Sequence, residues 1–205
     1  MSRSLSDGES GFGMTELLIA TALTGVLSLL IMETMTGFST VQQATIGSYG
    51  AVATADGSTT AIARVLRSAI TTGYSSLVSA SPSSITFNAI GLSGQYGTMQ
   101  VWTSPATCPC NAYSQFTPSG GTAQPVTLLG QQLSNGNIFS FYSTPPRASE
   151  LANYQIQVGS EGTTNSTTLN AIDLVQLTAT VSDPSVGKTT VEQTIALPQP
   201  SQPGQ

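Results

Sequence analysis

The 205-residue chain has room for one compact domain and an appendage, but not comfortably for two domains. Only 7% of its residues are Asp, Glu, Lys or Arg, against roughly 25% in an ordinary soluble domain, and Ser, Thr, Gln, Asn and Gly fill the surface role, as is common in exported bacterial proteins. A net charge of −5 with five basic residues excludes direct nucleic-acid binding by a basic stripe, and the absence of His removes the usual general base, the commonest metal ligand and the haem axial ligand.

Residues 1–11 (MSRSLSDGESG) are short and polar and read as a leader peptide. Residues 17–32 (LLIATALTGVLSLLIM) carry no charge, and back to Phe12 the only interruption is Glu16. Sixteen apolar residues fall short of the about 20 that a spanning helix needs, so Phe12, Gly13, Met14 and Thr15 complete a transmembrane part over about 12–35. A secretory signal is cut after its apolar core. Here no Ala-x-Ala site follows Met32, and the small residue stands before the core, at Gly11. A cut there leaves the apolar helix on the mature chain as its N-terminus.

The helical pattern continues through a polar, small-residue stretch at 34–55, weakened by glycines at 37, 47, 50 and 57. It strengthens over 60–72, where Ile62, Val65, Leu66, Ala69 and Ile70 form one apolar stripe with Arg64 and Arg67 off it. One long helix over 12–72 is expected.

The rest reads as a β-rich head over 73–197. Strands are expected at 84–89, 98–103, 136–143, 154–158, 171–181 and 188–197, the last two joined by a turn at 182–187. Period-two alternation puts Val175, Leu177, Ala179 and Val181 on one face, and Val191, Ile195 and Leu197 on one face of the returning strand. The fold class is therefore α+β, an antiparallel sheet covered by the helical stripe of 60–72. The Pro-rich end, 198–205, is expected to be an extended or disordered tail.

Cys108 and Cys110 flank Pro109 and are the only thiols. A local or an intermolecular disulfide and a pair of inert free thiols are all compatible with that spacing; two ligands alone do not close a zinc site. No metal or cofactor is expected.

The string Gly11-Phe12-Gly13-Met14-Thr15-Glu16, followed by an unbroken apolar helix, resembles the prepilin signature of type IV pilin-like proteins. The resemblance implies cleavage between Gly11 and Phe12 by a prepilin peptidase, N-methylation of Phe12, and an assembly role for Glu16. The helix ending in ARVLRSAIT, the segment NIFSFYST and the final hairpin extend the resemblance toward W-type minor pilins and J-type pseudopilins of type II secretion. It implies a pilin-like fold, with the long helix packed on an antiparallel sheet head. It also implies a single-pass precursor in the bacterial inner membrane and then a periplasmic or extracellular filament. The partners would be other pilin or pseudopilin subunits and an inner-membrane assembly platform. Glu9 and Ser10 stand where prepilin leaders usually carry Lys or Arg, and both cysteines are mid-chain, unlike the C-terminal disulfide loop of many major pilins.

Glu16 has a physical case of its own. A carboxylate near the start of an apolar helix costs roughly 2.5–3.5 kcal/mol on insertion scales. It can sit at the membrane surface, favoured by the positive end of the helix dipole, or pair with the ammonium that cleavage creates on Phe12 and fix the register of packed helices. Thr21, Thr24, Gly25 and Ser28 are small enough for close helix approach.

Two other readings compete. A signal-anchored extracellular binding module would use its sheet domain, with Tyr96, Trp102 and Tyr113 as a contact patch or as packing residues. An enzyme is not expected. Beyond the leader no acids form a DxD or ExxE pair, no G-x-S-x-G or P-loop is present, and a Ser nucleophile would lack His. Asn165-Ser166-Thr167 matches a glycosylation acceptor, a pattern too common to weigh.

Overall fold

The computed structural model describes residues 13–71, 75–91, 93–144, 148–184 and 187–198. The leader, Phe12 and the tail from 199 onward lie outside the described residues. The chain divides into two units, Met1–Thr45 and Ile46–Gln205. One helix, α1 (Met14–Leu66), supplies the described part of the first unit from Met14 and continues into the second. Its glycines at 37, 47, 50 and 57 do not break it. Each costs up to about 1 kcal/mol, and they are separated by stretches that propagate helix cooperatively.

The helix ends at Leu66, short of the expected 72. Arg67 and Ser68 form a turn, after which Ala69 bridges Ala89 and the Ile70 N–H donates to the Asn88 carbonyl at 2.8 Å. Ala69 is buried because it joins the sheet, although its spacing also fits the helical stripe.

In the second unit, α1 buries Ala51, Ala55, Ser58, Thr59, Ile62, Ala63 and Leu66, spaced so that they share one side. That side meets an antiparallel sheet. Its strands are β1 (Leu77–Ser81), β2 (Ser84–Ile90), β3 (Tyr96–Ser104), β4 (Cys110–Pro118), β5 (Thr127–Leu133), β6 (Phe139–Tyr142), β7 (Gln155–Ile156), β8 (Leu174–Asp183) and β9 (Gly187–Ala196). The path runs β1-β2-β3-β4-β5-β8-β6-β7, with β9 on the other side of β8. A 3-10 stretch (Ala148–Tyr154) precedes β7, and a short helix, α2 (Ser166–Asn170), precedes β8.

Alternation sets the core. Ile85, Phe87 and Ala89 of β2, Val101 of β3, Phe116 of β4, and Val175, Leu177, Ala179 and Val181 of β8 are all buried. Each large side chain removed from water contributes about 1.5–3 kcal/mol before entropy is counted. The α+β class, with helix and antiparallel sheet, is thus the observed one. Strands β1, β4 and β5 were not expected from the sequence. β8 begins at Leu174 rather than 171, because Ala171 and Ile172 close α2 by donating to Thr168 and Leu169 carbonyls.

Two local devices hold the sheet. β5 touches β8 through one residue pair, Leu133↔Val181, and β6 takes over only from Leu177 onward. Asn135 fills the gap: its Nδ2 donates to the Thr178 carbonyl at 2.7 Å, and its Oδ1 accepts from the Thr180 N–H at 2.9 Å. The amide stands in for a missing piece of strand. Gly130 lies where α1 crosses β5, and a Cβ there would meet Ser58 Oγ at 2.6 Å and Ser58 Cβ at 2.7 Å.

From Ser68 to Pro146 the sequence contains no Asp, Glu, Lys or Arg, so strands β1 to β6 carry no such charge.

Candidate functional site

The N-terminal part of α1 is built from apolar residues that find no cover among the described residues. Leu17, Leu18, Ile19, Leu23, Val26, Leu27, Leu29, Leu30, Ile31, Met32 and Met35 are each more than half exposed, on every side of the helix. Packing in the chain does not explain such a surface; an apolar surrounding does. The helix is long and apolar enough to cross a membrane. Residues 13–32 span about 30 Å at 1.5 Å per residue, close to a bilayer's hydrocarbon thickness.

The hydroxyl groups in this stretch do not compromise it. Thr21 Oγ1 donates to the Leu17 and Leu18 carbonyls, Thr24 to Ala20 at 2.7 Å, and Ser28 to Thr24 at 2.8 Å. The pattern continues at Thr34 and Thr36, which donate to Leu30 and Ile31 and to Met32 and Glu33. Each donor is satisfied within one turn, so none is left bare in an apolar medium. These positions stay narrow without presenting a free polar group.

At the N-terminal end, the Gly13 carbonyl accepts from the Glu16 N–H at 2.9 Å and the Leu17 N–H at 3.2 Å. The Glu16 carboxylate reaches back to the Gly13 N–H at 3.2 Å. Gly13 is thus the N-cap and Glu16 the third helical residue, the Glu half of a capping box. The carboxylate satisfies a donor the helix cannot and lies at the positive end of the dipole. The Gly13-x-x-Glu16 spacing carries this signal in the sequence, and composition-based reading passes over it. Gly11 and Phe12, the expected processing pair, lie outside the described residues.

The remaining candidates sit in the second unit. Cys108 and Cys110 are joined to each other by a disulfide, with Cys110 fully buried. Trp102 and Tyr113 are cross-strand partners whose rings stack with centroids 5.8 Å apart. Tyr96 lies six positions before Trp102 on β3, about 20 Å away at roughly 3.3 Å per residue, so the three aromatics do not form one patch. Asn165 is the N-cap of α2, its Oδ1 accepting from the Thr167 N–H at 2.9 Å, which gives the Asn-Ser-Thr string a structural use. A groove of about 330 Å³ between the end of α1 and the sheet is lined by Arg64, Val65, Met99, Phe116 and Leu129. Among the described residues, no three His, Cys, Asp or Glu side chains converge.

No protein-family model, curated protein or solved structure matches the chain.

Proposed function

We propose that this chain is a structural subunit of a type IV pilus-like filament, of the minor-pilin or pseudopilin kind. A prepilin peptidase cuts between Gly11 and Phe12, Phe12 is N-methylated, and the subunit joins the filament through its N-terminal helix. It passes from the bacterial inner membrane, where an assembly platform and other subunits meet it, into a periplasmic or extracellular fibre.

The observation that carries this reading is the uncovered apolar stretch of α1 with Glu16 as its single charge before Glu33. In an anchor the apolar surface is needed and the carboxylate at its start does no more than cap the first turn. A helix that leaves the bilayer to pack among copies of itself needs both. The apolar face gives cohesion, and the charge gives register, because an unpaired carboxylate among packed helices is costly. Cleavage after Gly11 would create an ammonium four residues before Glu16. Hydroxyls returned to their own carbonyls and the glycine at 25 support close helix approach.

The test is the N-terminal residue of the membrane-extracted protein, by intact and peptide mass spectrometry, from cells with a prepilin peptidase. The expected product begins at an N-methylated Phe12. An intact Met1, or a start beyond Met32, refutes the proposal and leaves an anchored or secreted binding domain.

A further inference from the structure

β9 pairs with β8 along its whole length without a register shift, and with no other strand among the described residues. Which of its main-chain groups are left over follows from β8. The Thr178 N–H donates to the Ile138 carbonyl, and the Thr180 carbonyl accepts from the Ser134 N–H. The even-numbered residues of β8 therefore turn their main-chain groups toward β5 and β6, and the odd-numbered ones face β9. Their partners there are odd as well: Val175↔Ile195, Leu177↔Gln193, Ala179↔Val191 and Val181↔Thr189. The N–H and C=O groups of Lys188, Thr190, Glu192 and Thr194 are left along the open edge, with no main-chain partner among the described residues.

An open edge templates a further strand, and side chains decide which strand fits. The only charges on β9 are Lys188 and Glu192, both exposed, on the same sheet face, and four positions apart. That arrangement is self-complementary. In an antiparallel pairing centred on Thr190, Lys188 stands opposite the partner's Glu192, and Glu192 opposite the partner's Lys188. The carboxylate is already held in place: Gln176 Nε2 donates to it at 3.0 Å, and the Tyr142 hydroxyl donates to Gln176 Oε1 at 2.7 Å. A pairing centred on Glu192 would instead set two carboxylates against each other, which is destabilising.

We infer that the open edge of β9 is an isologous docking surface for a second copy of this chain. The register is centred on Thr190, with Lys188, Thr190 and Glu192 as the hydrogen-bonded positions. This docking uses residues of the sheet alone and holds whether or not the N-terminal helix polymerises.

The experiment uses the full-length oxidised chain in detergent micelles, spin-labelled through Thr194→Cys, with the distance between labels as readout. The label reports register, so association through the apolar helix does not imitate the signal. Pairing about Thr190 sets the two labels eight positions apart along the paired strands, about 27 Å at ~3.4 Å per residue; pairing about Glu192 would set them four positions apart, about 14 Å. Thr190→Pro removes an edge N–H that β8 does not use, so the distance peak should vanish while the melting curve stays near wild type. K188E should weaken the dimer roughly tenfold or more, and K188E/E192K should restore it, since the exchanged charges still face each other. Should Thr190→Pro fail to fold, the charge swap decides alone. No peak in the unsubstituted edge at hundreds of micromolar, a peak near 14 Å, a K188E peak that persists to the same dilution as that of the unsubstituted edge, or failure of the swap to restore it overturns the inference.

Discussion

Replacing Asn135 by Ala tests whether a side-chain amide joins the two parts of the sheet. The substitution removes the donor to the Thr178 carbonyl and the acceptor for the Thr180 N–H. Each lost bond is worth about 0.5–1.5 kcal/mol net, and each main-chain group left without a partner costs about 1–3 kcal/mol where water cannot reach it. Asn135 is half-buried, so water compensates in part, and about 2–3 kcal/mol is expected. For a unit of this size that lowers Tm by about 5–10 °C. Near-UV circular dichroism of Trp102 in detergent follows the melt. Amide exchange locates the effect, with the Thr180 N–H expected to exchange faster while that of Val175, which pairs with Ile195, keeps its protection. Asn135→Asp keeps the acceptor but sets a carboxylate against the Thr178 carbonyl, and should cost at least as much as Ala. A Tm shift under about 2 °C in the Ala variant, with unchanged exchange at Thr180, would show that the joint is held by other means.

The other expectations are more compact. Gly130→Ala drives a methyl group into Ser58 and should cost about 1–3 kcal/mol, with much of the loss recovered when Ser58→Gly is added; chemical denaturation of the single and double variants measures the coupling. Leu177→Asp puts an unpaired charge at a site 1% exposed and should leave no cooperative melt; a normal melting curve contradicts the facing assigned to β8. Glu16→Ala should insert into the membrane normally yet be depleted from the sheared-filament fraction. Glu16→Gln keeps an acceptor for the Gly13 N–H, so Gln behaving like Ala assigns the effect to charge, and Gln behaving like wild type assigns it to the cap.

Sequence reading recovered the parts of the fold whose pattern one force dominates. The alternation of Val175, Leu177, Ala179 and Val181 is legible because a single buried face selects every second residue. β4 escaped notice because its inward positions are Cys110, Ala112, Ser114 and Phe116, mostly too small or polar to register as an apolar face. β5 was hidden by a register irregularity and by Gly130, which a close helix approach requires and a strand pattern does not suggest. At the end of α1, Ala69 and Ile70 satisfy helical spacing and yet pair with β2, since tertiary pairing outcompetes a last weak turn. In the candidate site, the apolar run and Glu16 were plain from composition. The bond from Gly13 to Glu16 was not, because it depends on where the helix starts.

The uncharged stretch from Ser68 to Pro146 has a consequence for the environments the protein tolerates. It offers no carboxylate, ammonium, guanidinium or imidazole for protons to titrate in acid, so by linkage it contributes no proton uptake to unfolding there. Dissolved ions likewise find no charge in it to screen. Only agents that act through hydration, such as urea or sulfate, retain a direct hold on strands β1 to β6. Direct titration in acid and direct screening by salt are thereby left to the residues before Ser68 and after Pro146, which carry every Asp, Glu, Lys and Arg of the chain.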